Sequence, residues 1–255
     1  MKRGIIISDT HCGAIGGLTA PRYWQEQIKP MQEMFWNWYL RQINKYNARD
    51  FLICPADLTE GEGKKGQLGI ILTNIKDQAD CASIVLDATG VPHDKMYLVR
   101  GTPFHVNSVL EYEDLVASNL GASIEDVQRL EIEGWKIHTR HVVGRSDIPY
   151  GQATPLLREL TRVEHEALRE GKDAPDIVIR GHVHYSVGVY RSGRMAITCP
   201  CLDLPIDSSN GRRYMAWYYD VGLGILELDK DVEPIYRPII LPVKLYHEGG
   251  YKNVF

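Results

Sequence analysis

Apolar residues follow two rhythms along this chain. Short unbroken runs occur at Ile5-Ile6-Ile7, Phe51-Leu52-Ile53-Cys54, Met96-Tyr97-Leu98-Val99 and Ile177-Val178-Ile179. Runs of this length suit strands covered on both faces. Between them the period changes. In residues 28–46 the positions Ile28, Met31, Met34, Phe35, Trp38, Tyr39, Gln42 and Tyr46 recur at three-and-four spacing, which predicts an amphipathic helix whose aromatic stripe is core. Helices are also predicted over 67–89, ended by Gly90 and Pro92, over 108–120, closed by Gly121, and over 152–170, stopped by Gly171. From residue 130 the pattern turns β-rich. Residues 130–132 and 135–141 read as antiparallel strands around Glu133-Gly134, and further strands are expected at 177–180, 186–190, 195–198, 214–228 and 235–239. Alternating β and α units followed by a β-rich half predict one α/β domain over residues 1–255, with two packed sheets flanked by helices.

The strand ends carry the chemistry. In α/β folds, functional residues gather in the loops at the carboxyl ends of strands. Ser8-Asp9-Thr10-His11 follows the first run, Pro55-Ala56-Asp57 the second and Arg100-Gly101-Thr102-Pro103-Phe104-His105 the third. His141 ends the strand through Trp135, and Gly181-His182-Val183-His184 follows the last run. If the chain is extended there, His182 and His184 point to one face. Two carboxylates and several imidazoles at strand ends suit divalent transition metals, and mixed oxygen and nitrogen donors favour manganese, iron, zinc or nickel over calcium or magnesium. No cysteine pair has the spacing of a closed structural zinc site.

Charge and composition narrow the classes. The net charge of −4 argues against a globally basic nucleic-acid surface but leaves room for a local basic patch. No apolar run approaches the roughly 20 residues that span a bilayer. Residues 5–7 are too short for a signal-peptide core, so membrane association is not expected. Five cysteines, an odd and scattered number, fit a reduced, cytoplasmic setting. Cys199 and Cys201 read as small buried residues, Cys12 faces away from the site if the chain is extended, His138 faces the core, His247 lies in the polar tail, and His93 and His165 receive no role. Lys64, Lys65, Arg100, Arg145 and Arg180 are candidates for a phosphate-binding rim.

The order Asp9-Thr10-His11, Asp57, a Gly101-led loop with His105, His141 and Gly181-His182-Val183-His184 resembles the calcineurin-like metallophosphoesterases, whose signature runs DxH, GDxxxxG, GNH, a lone His and GHxH. The likeness covers residues 5–185. It looks closest to a phage-type branch, through Ser8-Asp9-Thr10-His11-Cys12-Gly13, Trp36-Asn37-Trp38-Tyr39-Leu40, the GTxxH loop at 101–105 and His141-Val142-Val143-Gly144-Arg145-Ser146. The resemblance implies a four-layer α/β/β/α sandwich of two mixed sheets. It implies two divalent transition-metal ions, manganese first. Asp9, His11 and His184 would hold one ion, His141 and His182 the other, and Asp57 would bridge them. A metal-bridging hydroxide would then hydrolyse phosphoesters, with phosphodiesters of nucleic acid or nucleotides as first choice and phosphomonoesters or phosphoproteins as the alternative. A catalytically weakened scaffold is a further alternative.

Two departures bear on this. Ala56 stands where the family has glycine, which suits alanine only if the backbone there avoids positive φ. Thr102 stands where the family has an asparagine ligand, so it would be a weaker metal donor, and His105 is displaced by two residues. His105 is therefore either the general acid for the leaving oxygen or a ligand in place of the asparagine.

Overall fold

The computed structural model describes residues 1–61, 69–102, 112–205 and 219–242; His105, Lys64, Lys65 and His247 lie outside them. The described chain builds eleven strands and four α-helices. In the first sheet β1 (Lys2–Ile6), β2 (Phe51–Cys54), β3 (Met96–Val99) and β4 (Ser123–Glu125) run parallel, β10 (Gly222–Asp229) pairs antiparallel with β1, and β11 (Val232–Ile240) pairs antiparallel with β10. The order is β11-β10-β1-β2-β3-β4. The second sheet contains β5 (Gln128–Ile132), β6 (Trp135–Thr139), β7 (Ile177–Arg180), β8 (Gly188–Arg191) and β9 (Arg194–Thr198) in the order β5-β6-β7-β9-β8. Its β6, β7 and β9 are parallel, with an antiparallel strand at each edge.

Period-two alternation explains why the two sheets face each other. Ile5 and Ile7 pack under the helices α1 (Lys29–Tyr46), α2 (Ile75–Asp87) and α3 (Tyr112–Leu120), whereas Ile6 points the other way. Leu52 and Cys54 join the helix side, and Phe51 and Ile53 the inner side. Those inner residues meet Ile137, Ile177, Ile179, Met195 and Ile197 of the second sheet. Val178 and Ala196, on that sheet's outer face, pack against Leu156, Leu160 and Val163 of α4 (Ala153–Arg169). The result is the expected four-layer α/β/β/α sandwich. The unbroken apolar runs are strands buried on both faces.

The boundaries differ from the sequence pattern in three places. The helix expected from residue 67 begins at Ile75, because the Asn74 side chain accepts a hydrogen bond from the Lys76 amide at 2.9 Å and caps it there. Ile71 and Leu72 before it donate to the Gly13 carbonyl instead. The short strand β4 was not expected, since its three residues show little apolar patterning. Arg180 is the largest correction. It is fully buried and forms no part of a surface rim. Its Nε donates to Glu159 at 3.0 Å, and Arg140 and Arg162 both reach the same carboxylate at 3.1 Å. Burial pulls the Arg180 pKa down to about 10 even against Glu159. His138 is buried beside it as expected, and burial with the Arg180 charge pushes its pKa down to about 3.

Removing one partner of a buried pair leaves the other charge uncompensated. Glu159→Ala should therefore cost about 3–5 kcal/mol, read as a lower urea midpoint with unchanged slope. An unchanged midpoint would show that Arg180 does not depend on this carboxylate.

Candidate metal centre

The carboxyl ends of β1 and β2 in one sheet and of β6 and β7 in the other converge on a common edge. Here the parallel ladder continues past the strands. The Asp9 amide donates to the Ala56 carbonyl at 2.8 Å, the His11 amide to Asp57 at 3.1 Å and the Cys12 amide to Leu58 at 2.9 Å. Within the second sheet the Gly181 amide donates to the His141 carbonyl at 3.0 Å, and across the sheets the His182 amide donates to Asp9 Oδ1 at 3.1 Å. This approach requires glycine at 181, where an added Cβ would stand 2.4 Å from Ser8 Oγ and 2.6 Å from the Pro55 carbonyl oxygen.

The six expected residues meet in two groups. Asp9, His11 and His184 form one, and Asp57, His141 and His182 the other; within each, the donor atoms all lie within 4.8 Å of one another. The route differs from the expected one. His182 and His184 are not extended but left-handed, at φ 74 and 59, so each imidazole enters a different group. Asp9, His11 and Asp57 are also left-handed, at φ 51, 41 and 50. So is Ala56, at φ 43, where the sequence pattern favoured a residue that avoids positive φ. The backbone at 56 keeps the conformation a glycine would have filled at less steric cost.

Several orienting groups were not singled out from sequence. His11 Nδ1 sits 2.9 Å from Glu60 Oε2, which leaves Nε2 facing inward. His141 Nδ1 is 2.6 Å from the Pro55 carbonyl, with the same effect. Thr102 donates from its amide to Asp57 Oδ1 at 2.7 Å, and its hydroxyl lies 3.3 Å from both Asp57 oxygens. Glu113 accepts from the Gly101 amide at 2.5 Å and from Leu58 at 3.0 Å, joining the 101–102 turn to the Asp57 loop. The Ser8 hydroxyl donates to Asp9 Oδ2. Glu60 and Glu113 are both buried in the fold. The remaining candidates are committed elsewhere. Arg100 is drawn onto Asp114 at 2.8 Å and Asp126 at 3.1 Å, and Arg145 onto Asp147 at 2.8 Å. Cys12 donates to the Leu18 carbonyl, and all five cysteines are free and buried.

The donor set fits metal ions. His141 Nε2 lies 3.0 Å from Asp57 Oδ2, yet its geometry gives no aligned hydrogen bond and the atom has no hydrogen-bond partner among the described residues. Two donors aimed at a common point, rather than at each other, produce that relation. In the other group His184 Nε2 is 3.3 Å from both His11 Nε2 and Asp9 Oδ1, so two imidazole nitrogens confront each other beside a carboxylate. Without an ion, protons take the role of the cation. Burial would lower the His11 pKa, but Glu60, Asp203 and Asp57 outweigh it and raise it from 6.5 to about 10. Burial would likewise lower the His141 pKa, but Asp57, with Asp9, outweighs it and raises it to about 9. His182 is lowered by burial and by His141. Glu113 is raised to about 7 by burial and the Asp57 charge.

No family model and no curated protein matches the chain. Among solved structures, an archaeal phosphodiesterase is 15% identical, with 94% of this chain and 99% of that one covered and a TM-score of 0.48. Vps29 of Entamoeba histolytica in complex with zinc is 13% identical, with 93% and 98% covered and a TM-score of 0.46. A conserved protein of Streptococcus pneumoniae described as a predicted phosphoesterase is 10% identical, with 93% and 98% covered and a TM-score of 0.41. Likeness at this level carries no functional argument and gives the phage-type resemblance no support. The functional reading rests on the centre itself.

The raised histidines set a pH dependence. A group whose pKa rises on folding stabilises fully below its unfolded value and loses that contribution as pH climbs through its folded value. Metal-free protein should therefore lose several kcal/mol of stability between pH 7 and pH 10, as His11 and His141 deprotonate. Ligating imidazoles must be neutral, so metal uptake near pH 7.5 should release about two protons, measurable by calorimetry in buffers of different ionisation enthalpy. Uptake without proton release would separate metal binding from these two histidines.

Proposed function

We propose that the chain is a dinuclear-metal-dependent phosphoesterase, one domain over residues 1–255, acting on phosphodiesters. The observation that carries this reading is the pair of carboxylate–imidazole groups at the sheet ends, with the buried His141 Nε2 beside Asp57 lacking a hydrogen-bond partner among the described residues. Asp9, His11 and His184 would hold one divalent ion, His141 and His182 the other, and Asp57 would be shared. Manganese is the first candidate, with iron, zinc and nickel compatible with the same donors. When bound, such ions supply Lewis-acid polarisation of phosphoryl oxygens and a water acidic enough to attack at neutral pH.

The chain's own residues do the positioning. Glu60 and the Pro55 carbonyl engage Nδ1 of His11 and His141, so that Nε2 of each, once deprotonated, would present its lone pair inward. Ser8 and the His182 amide donate to Asp9 and hold it in place, while burial opposes its ionisation and His184, then His141, outweigh burial and keep its pKa low. Thr102 grips Asp57 through its amide, in a place where the family pattern has a ligand. This favours a positioning role for Thr102 over that of a donor. The ion at His141 and His182 would then have fewer protein ligands, bind more weakly and leave first on dialysis. His105 would serve as general acid, delivering a proton to the leaving oxygen.

The deciding experiment compares turnover of a nitrophenyl diester and a nitrophenyl monoester across several metals. Faster diester turnover supports the proposal, faster monoester turnover makes the chain a phosphatase, and metal binding without turnover makes it a scaffold. His105→Ala should keep both metals and slow poor leaving groups by roughly 10²–10⁴-fold, with a smaller loss for nitrophenyl esters. Lower metal content in that variant would make His105 a ligand instead.

A further inference from the structure

On this acidic chain, one of the described grooves has walls that contain no carboxylate. It runs along α4, opens about 680 Å³ and is lined by Thr154, Leu157, Arg158, Thr161, Arg162, His165 and, from β8, Arg191. Thr154, Arg158, Thr161 and His165 are spaced four, three and four apart, so they form one stripe on the helix, about 16 Å long. Arg191 donates to Thr161 Oγ1 at 2.9 Å and fixes the facing wall. Arg158 and His165 are exposed and form no ion pair among the described residues. The nearby acids are engaged. Glu159 is held by Arg140, Arg162 and Arg180, Glu166 by Arg162 and Glu164 by Arg194. The groove is left with an excess of positive charge, guanidinium forks and hydroxyl donors. This is the equipment that grips phosphate oxygens.

We propose that this groove binds the phosphate backbone of a nucleic acid, without reading its sequence. No Phe, Tyr or Trp lines it, and its guanidinium and hydroxyl donors suit the backbone rather than the bases. Its position points toward the metal centre. Pro155, beside Thr154, lies so close to Gly144 that a Cβ added there would stand 3.3 Å from the proline, and Gly144 is three residues past His141. A strand seated on α4 is thus led to the loop that carries His141. The use of the groove to deliver a diester rests on the phosphoesterase reading; the binding itself does not.

The test measures anisotropy of labelled phosphorothioate oligonucleotides, single-stranded and duplex, on the metal-loaded protein over a range of salt. Affinity should be independent of sequence. The double variant Arg158→Gln, Arg191→Gln should flatten the slope of log K against log salt by about 1.4 for the single strand or about 1.8 for the duplex, whichever is bound. Arg158→Gln alone, at an exposed side chain, should flatten it by about half as much. Turnover of a small nitrophenyl diester should stay unchanged in both variants. No binding, an unchanged slope, or tighter binding to phosphatidylserine vesicles than to either oligonucleotide would overturn the proposal. A flattened slope in a protein that turns over no diester would sustain the groove and remove the phosphoesterase reading.

Discussion

The candidate centre depends on backbone held in the left-handed region at five of its six donor residues and at Ala56. For an ordinary L-residue that conformation costs about 1–2 kcal/mol, and somewhat less for Asp and His, which visit it more readily. Summed over the loops, the cost is comparable with the net stability of a domain. It persists because the surroundings over-determine it. The parallel ladder between β1 and β2 runs on through Asp9, His11 and Cys12, and the Leu202 amide donates to the Ser8 and Asp9 carbonyls from a third side. Gly181 lets the second sheet's loop come close enough to tie His182 to Asp9. Without these ties the two imidazoles two residues apart would enter the same space, rather than separate groups.

Electrostatics then follow from the geometry. Six donors face inward in a buried volume, where carboxylates repel each other and confronting imidazoles need a cation between them. Protons on His11 and His141 meet that need in the metal-free molecule; divalent ions would meet it better, since each can be shared by three donors. Glu60, the Pro55 carbonyl, Thr102 and Ser8 hold the donors from behind, so the site is organised before any ion arrives. Glu113 holds the Gly101 turn against the Asp57 loop, and through it places the Thr102 amide on Asp57.

Much of this was legible in the sequence because it rests on short-range pattern. The unbroken apolar runs announced strands covered on both faces, and the residues just beyond them announced the donors. What escaped was set by tertiary contact. The extended reading of Gly181-His182-Val183-His184 picked out residues that the fold brings to the two groups, but through the wrong backbone, since nothing local distinguishes an extended HVH from one folded left-handed by its neighbours. Ala56 gave the opposite of a signal, because its left-handed backbone is held by a hydrogen bond from the Asp9 amide that no local pattern reveals. Arg180 reads as a strand-end cation until the fold brings Glu159 from α4 to cover it. The burial of Glu60 and Glu113 escaped for the same reason.

The most direct test is anomalous diffraction from crystals soaked in manganese. The account predicts two peaks, one ringed by Asp9, His11 and His184 and the other by His141 and His182, with Asp57 in contact with both. A single peak, or two peaks with Asp57 touching neither, would contradict it.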